Sequence, residues 1–286
     1  MKLILGSAQF GMKYGISNKK GKTSSREVKK ILKYAHKKNI SFIDTAYAYK
    51  VSEKEIGNYH LKSRNKFKII TKFSIKNGDV RKQFEKSKKN LRVLPHIILA
   101  HSAKDYTSIK FQEKIKDIKS EFKSVKFGVS LYDPEEFYKI IKVKVPDIIQ
   151  VPINLFDKRF LDPKIIKLAE RNRIKIHARS VFLQGLFFLK KHKIFKNFKN
   201  VEYIFNRFDQ VCRYEKINLG QLSLLWLYKK KEVDKIILGV NSLKQLRVNL
   251  KTIKKKINRR SQKIIEELNF NQNIIIKPKL WKIKQA

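Results

Sequence analysis

The feature that most constrains this chain is a repeated alternation of short β-rich runs with longer segments of helical period. Strand-like runs occupy residues 3–5, 40–44, 68–71, 97–100, 125–129, 147–151, 174–178 and 235–238, and a helical pattern follows each. Residues 53–59 are helical after the second run. Val80, Phe84 and Leu91 mark the next helix, and Phe111, Ile115 and Ile118 the one after. Asp133-Pro134 and Asp162-Pro163 each set a capping side chain before a proline suited to a first helical turn. Ser242 is placed to cap the last barrel helix, with Leu243, Leu246 and Leu250 on its inner face. Eight such βα units favour a closed parallel α/β barrel, a (β/α)8 TIM barrel forming a single domain over 1–286. The spacing alone also permits an open doubly wound sheet. Residues 190–214, between the seventh strand and its helix, read as an insertion on the loop side. The tail after Phe270, with Trp281, either packs across the barrel or frays.

A barrel of this kind gathers its chemistry where the βα loops converge, at the C-terminal ends of the strands. Asp44 ends the second strand, Lys72 the third and His101 the fourth, while Tyr49 lies five residues beyond Asp44. Four groups able to handle protons therefore share one rim. Taken singly, Asp44 with Lys72 reads as a structural ion pair, and Tyr49 and His101 as packing residues. His60, His96, His177 and His192 have no comparable constellation and read as structural or surface residues, as Tyr47 does. The lone cysteine, Cys212, excludes an internal disulfide framework and a cysteine-based metal site, and no metal is expected.

The charge bears on partners. Lys and Arg number 68 against 24 Asp and Glu, a net +44. The lysines are spread along the chain on the polar faces of amphipathic helices rather than gathered in a tail or stripe. That favours a solvated basic surface over specific nucleic-acid binding, though such a surface still attracts anionic cofactors and substrates. No stretch approaches the ~20 continuous apolar residues of a membrane span, and the opening apolar run is too short for a secretory signal. The expectation is a cytoplasmic protein without membrane insertion.

Phe42-Ile43-Asp44-Thr45-Ala46-Tyr47-Ala48-Tyr49, with Ser52-Glu53 and Ile56-Gly57, resembles the aldo/keto reductase signature. The resemblance continues through Leu5-Gly6-Ser7-Ala8-Gln9-Phe10-Gly11, Ile70-Thr71-Lys72, Leu99-Ala100-His101-Ser102 and Gly128-Val129-Ser130. Ile149-Gln150-Val151-Pro152-Ile153-Asn154, Gln221-Leu222-Ser223-Leu224-Leu225-Trp226, Ile236-Ile237-Leu238-Gly239-Val240 and Gln245-Leu246 complete it. It implies an NADP(H)- or NAD(H)-dependent oxidoreductase that reduces a small carbonyl substrate. A hydride arriving at the carbonyl carbon leaves an alkoxide that needs a proton, and Tyr49 would donate it. Tyrosine is a weak acid, with an ordinary pKa of ~10. Lys72 would lower that value, Asp44 would hold Lys72, and His101 would hydrogen-bond the substrate oxygen.

The same resemblance implicates Gly6, Ser7, Ser130, Gln150, Asn154, Arg179, Gly239, Val240, Asn241, Gln245 and Asn249 in cofactor binding. No Gly-x-Gly-x-x-Gly fingerprint accompanies them. Four residues depart from the family pattern. Leu131 stands where Asn is frequent, Arg179 where an aromatic ring often stacks on the nicotinamide, and Lys50 where Gly is common. Asn241 replaces a basic residue often used for the 2′-phosphate of NADP, a role open to Lys244 or Arg247. The added cations suggest an anionic substrate. Gln9-Phe10-Gly11-Met12-Lys13-Tyr14-Gly15-Ile16 is similar to bacterial members of the polysaccharide-cluster type, which implies a phosphorylated or nucleotide-linked sugar. Three alternatives stay open: a non-redox lyase or isomerase forming a Schiff base at Lys72, a catalytically silent binding protein of the same fold, and a nucleic-acid binder.

Overall fold

A computed structural model describes residues 1–268, 270 and 273–281. Among them, eight parallel strands close into a barrel in sequence order: β1 (Leu3–Gly6), β2 (Phe42–Asp44), β3 (Lys68–Phe73), β4 (Ile97–Ala100), β5 (Lys126–Ser130), β6 (Ile148–Pro152), β7 (Lys175–Arg179) and β8 (Lys235–Gly239). β1 pairs with both β2 and β8, which removes the open-sheet alternative. Strands covered on both faces tend to read as continuous apolar runs, as β1 and β4 do.

The surrounding helices are α1 (Ser25–Lys37), α2 (Ser52–Leu61), α3 (Val80–Leu91), α4 (Ile109–Glu121), α5 (Pro134–Val143), α6 (Pro163–Arg171), α7 (Leu219–Lys229) and α8 (Leu243–Thr252). Their starts follow local chemistry. Ser24 accepts from Glu27 N, and α1 then buries Val28, Ile31, Leu32 and Ala35 at helical spacing. Asp162 accepts from Lys164 N at 2.8 Å, and Ser242 from Gln245 N at 3.2 Å. At α5, Glu136 accepts from Asp133 N, while the Asp133 carboxylate also meets Arg159 and Lys277.

The expected insertion folds into two helices, Lys191–Asn197 and Glu202–Glu215. It is pinned by aromatic packing, with Phe156 of the β6 loop against Phe205 and Phe208 at 4.9 and 5.5 Å. Cys212 is buried within it. Of the tail, residues 271, 272 and 282–286 lie outside the described residues. The described part packs, since Trp281 Nε1 donates to Ile275 O and its ring meets Phe198 edge-on.

Inside the barrel, Ile4, Ile70, Ile97, Leu99 and Ile148 form their own buried cluster, with Phe42 and Ile237 against it. Burial of each such side chain stabilises by about 1.5–3 kcal/mol. Side chains alternate along a strand, so the residue two positions after an interior one also faces inward, one layer nearer the C-terminal rim. That rule leads from Ile4 to Gly6, Phe42 to Asp44, Ile70 to Lys72, Leu99 to His101, Ile148 to Gln150 and Ile237 to Gly239. The hydrophobic plug thus carries a polar layer directly on top.

Candidate active site

Lys72 and Asp44 form the centre of that layer. The Lys72 ammonium donates to Asp44 Oδ1 at 2.6 Å, to Asp44 Oδ2 at 2.8 Å and to Thr45 O at 2.8 Å. Its three N–H donors are all used. Both side chains are buried. Gln150 Nε2 donates to Asp44 Oδ2 at 2.7 Å, so the carboxylate is anchored from β3 and β6 at once. From behind, buried Glu53 of α2 accepts from Thr71 and Ser87 and ties β3 to the helix that follows Tyr49.

Tyr49 stands in the turn after β2, its ring 5.3 Å from the Lys72 ammonium and edge-on to His101 at 6.4 Å. Gly11 makes this placement possible: a Cβ there would lie 1.8 Å from Tyr49 O. Ser7 fixes the adjoining strand ends, because its hydroxyl donates to Asp44 O at 2.9 Å and accepts from Ser52 at 2.8 Å. The four proton-handling residues therefore meet.

The electrostatics differ from expectation at Tyr49. Burial pushes its pKa above the ordinary tyrosine range, and Asp44 adds to the rise while Arg179 opposes it. Burial prevails, and the phenol is held in its protonated form. Burial likewise pulls Lys72 below the usual lysine range, against the pull of Asp44. His101 is held down to about 4, by burial first and then by Lys72, with Asp105 opposing. At neutral pH it is an uncharged imidazole able to donate one hydrogen bond.

Arg179 ends β7 and reaches the same space. Its guanidinium donates to Leu131 O at 2.9 Å and to Ser180 Oγ at 3.2 Å, and lies 4.2 Å from the Tyr132 ring centroid. The Lys279 ammonium approaches the same ring at 3.9 Å. Arg179 Nε is buried with no hydrogen-bond partner, a cost of roughly 1–3 kcal/mol. Leu131, buried, thus serves through its carbonyl. Lys50 is exposed, and its φ of 47° explains why glycine suits the position.

A cleft of about 570 Å³ opens from this layer toward α8. Its inner end is formed by Asp44, Tyr49, Gln150 and Arg179, and its outer end by Asn241, Ser242, Lys244, Gln245 and Asn249. Gly6 and Gly239, paired in register, form the floor between them with Ser7. A Cβ on Gly239 would come within 2.8 Å of the Gln9 amide, and buried Gln9 Oε1 lacks a partner. An elongated, glycine-floored cleft with polar ends suits a dinucleotide.

Three expected cofactor residues fall outside it. Asn154 is spent on its own turn, accepting from Phe156 N at 2.9 Å and Asp157 N at 3.2 Å and donating to Ser180 O. Ser130 and Val240 are buried beside the cleft without lining it. Gln245 lines it while its carbonyl accepts from Asn241 N at 2.7 Å. Arg247 stacks on Tyr34 at 5.2 Å and leaves Lys244 as the cation of the outer end. Sequence reasoning missed Tyr132, Lys279 and the cleft-lining Tyr14. Tyr14 stood in a motif already singled out, whereas nothing marked Lys279. His60 is structural, bonded to Leu91 O and Phe67 N. Among the described residues no His, Cys, Asp and Glu cluster is arranged for a metal ion.

The profile of the Aldo/keto reductase family matches residues 2–269. No curated protein sequence matches the chain. Among solved structures, the glycerol dehydrogenase AKR11B4 from Gluconobacter oxydans superposes with a TM-score of 0.71 at 19% identity, covering 93% of this chain and 90% of that one. The aldo-keto reductase AKR11C1 from Bacillus halodurans, in its holo form, gives 0.73 at 16% identity, over 95% and 94% of the two chains. At such identities the likeness to these structures is one of fold.

Proposed function

Because the chain belongs to the aldo/keto reductase family, whose members are NAD(P)H-dependent oxidoreductases, we propose that it reduces an aldehyde or ketone to the alcohol with Tyr49 as proton donor. The carrying observation is the packing of Tyr49 against neutral His101 and the Asp44–Lys72 pair, with Tyr49 and Asp44 lining the inner end of a glycine-floored cleft. The nicotinamide supplies the hydride when bound. His101 donates a hydrogen bond to the carbonyl oxygen and turns the carbonyl toward Tyr49. The Tyr49 hydroxyl then delivers its proton to that oxygen, and the resulting phenolate is stabilised by Lys72 and Arg179 until solvent restores the proton.

Gly6, Gly239 and Gln150 fit the cofactor's approach, and Lys244 at the outer end favours NADP(H) over NAD(H) through the extra phosphate. The unpaired Arg179 favours an anionic sugar derivative as substrate. A cytoplasmic setting suits both the NADPH supply and a single free, buried cysteine. No helix of the described residues is long and apolar enough to cross a membrane. The Schiff-base alternative is disfavoured because the Lys72 nitrogen is buried and all three of its N–H donors are engaged by Asp44 and Thr45.

Fluorescence titration with NADPH and NADH, at moderate salt and with a competing polyanion, tests the reading. The expected result is saturable binding, tighter for NADPH and insensitive to polyanion. Lys244→Gln should narrow the NADPH preference several-fold, about the worth of one charge-assisted hydrogen bond. Failure to bind either nucleotide would overturn the reading.

A further inference from the structure

Three carboxylates around the site are already committed. Asp44 is held by Lys72 and Gln150. Asp133, next to Tyr132, meets Arg159 at 2.6 Å and Lys277 at 2.7 Å. Asp105 accepts from Ser74, Ile75 N and Ser102. Among the described residues neither Arg179 nor Lys279 has a carboxylate within 4.0 Å; Arg179 lines the cleft beside Tyr49, and exposed Lys279 bears on His101 from the Tyr132 ring. Arg179 is held in place nonetheless: the Leu131 carbonyl fixes one edge of the guanidinium and the Tyr132 ring supports its face. Two of its five N–H donors are used within the chain.

We propose that Arg179, with Lys279 at the same Tyr132 ring, forms an anion site that selects carbonyl substrates bearing a carboxylate or phosphate within a few bonds of the carbonyl carbon. This rests on the reductase reading and goes further by setting the anion within a few bonds of the carbonyl and by adding Lys279 to Arg179. The short spacing follows from topology, since Arg179 projects from β7 into the same interior layer that holds Asp44, Lys72 and His101. The guanidinium's persistent charge and planar edge match an oxyanion, and the absence of an acidic partner leaves that charge for the substrate. Burial and the cations Lys72, Arg179 and Lys279 together keep His101 neutral, so it adds no competing charge.

The test uses the full chain with NADPH and two matched probe pairs: 4-carboxybenzaldehyde against methyl 4-formylbenzoate, and D-glyceraldehyde 3-phosphate against D-glyceraldehyde. Within each pair the anionic to neutral ratio of kcat/KM is read for the unmodified protein, Arg179→Gln, Arg179→Lys and Lys279→Gln. The unmodified protein should favour at least one anionic probe by about tenfold or more, the worth of a hydrogen bond to a charged group. Which pair shows it distinguishes carboxylate from phosphate. Arg179→Gln should bring the ratio toward one chiefly through KM, Arg179→Lys should recover part of it, and Lys279→Gln should lower it less. A ratio near one in the unmodified protein overturns the proposal. So does a ratio untouched by Arg179→Gln while NADPH affinity collapses, which would assign Arg179 to the cofactor. A second arm needs no turnover: Tyr49→Phe protein loaded with NADPH is titrated with each benzaldehyde by cofactor fluorescence. Arg179-dependent preference for 4-carboxybenzaldehyde there, with no reduction by the unmodified protein, would keep the anion site and sink the reductase reading. Reduction of neutral aldehydes without anionic preference would do the reverse.

Discussion

Two cations look into the same barrel mouth from opposite sides, and the chain treats them differently. At β2 and β3, Lys72 is given a carboxylate, a backbone carbonyl and, through Asp44, a second anchor at Gln150. At β5 and β7, Arg179 is given a carbonyl, a hydroxyl and an aromatic face, with no acid among the described residues. A buried charge without a partner is costly, so chains ordinarily supply the counter-ion themselves. Lys72 is buried and carries its own counter-ion, whereas half-buried Arg179 is left open to one from outside. On the proposed reading, the first side holds the proton donor in place and the second selects what it acts upon.

The comparison breaks most visibly at Lys72. Lys72→Met leaves Asp44 buried with Gln150 as its remaining side-chain partner, a loss of about 3–5 kcal/mol of unfolding free energy. Turnover should fall by about three orders of magnitude, measured by denaturant unfolding alongside steady-state rates. Arg179→Gln removes no partner of a buried acid and should cost far less stability, its effect appearing in substrate choice. Equal destabilisation by the two changes would erase the distinction between framework and selector.

A smaller effect sharpens the comparison through His101, which feels both cations. Its folded pKa of about 4 lies below the ordinary 6.5, so between those values the unfolded chain binds the proton that the folded one refuses. Stability is therefore present in full above about 6.5 and is lost as pH falls toward about 4. Buried His177 adds a loss of the same sign, and His101→Gln separates the two in pH-dependent unfolding. Replacing Arg179 by Gln should reduce the His101 share. An unchanged profile in that variant would mean Arg179 lies too far from the reacting space to select a substrate there.

Much of this was legible in the chain because the barrel imposes a period of two along each strand. Asp44, Lys72, His101, Gln150 and Gly239 all follow an interior apolar residue by two positions, so strand ends located to within a residue or two fix the polar layer. Tyr49, in a turn, came from motif resemblance instead. Side chains that compete for local hydrogen bonds were less legible. Asn154 had backbone N–H groups of its own turn within reach and was satisfied there, and Arg247 found Tyr34 rather than the cleft. The expected lowering at Tyr49 depended on Lys72, whereas burial and Asp44 act in the opposite direction, and that burial comes from tertiary packing that no local motif encodes. Tyr132 and Lys279 carried no periodic signal: one follows a strand end, and the other arrives from a tail brought over the mouth by tertiary packing.

Tyr49→Phe examines most directly whether Tyr49 is the proton donor beside a bound nicotinamide. NADPH affinity, read by fluorescence, should stay within about twofold of the unmodified protein, since the ring is kept and only the hydroxyl is lost. Reduction of a carbonyl probe at saturating NADPH should fall by about 10²–10⁴-fold, the range of general acid catalysis. Equal loss of binding and turnover, or turnover that survives the change, would contradict the account.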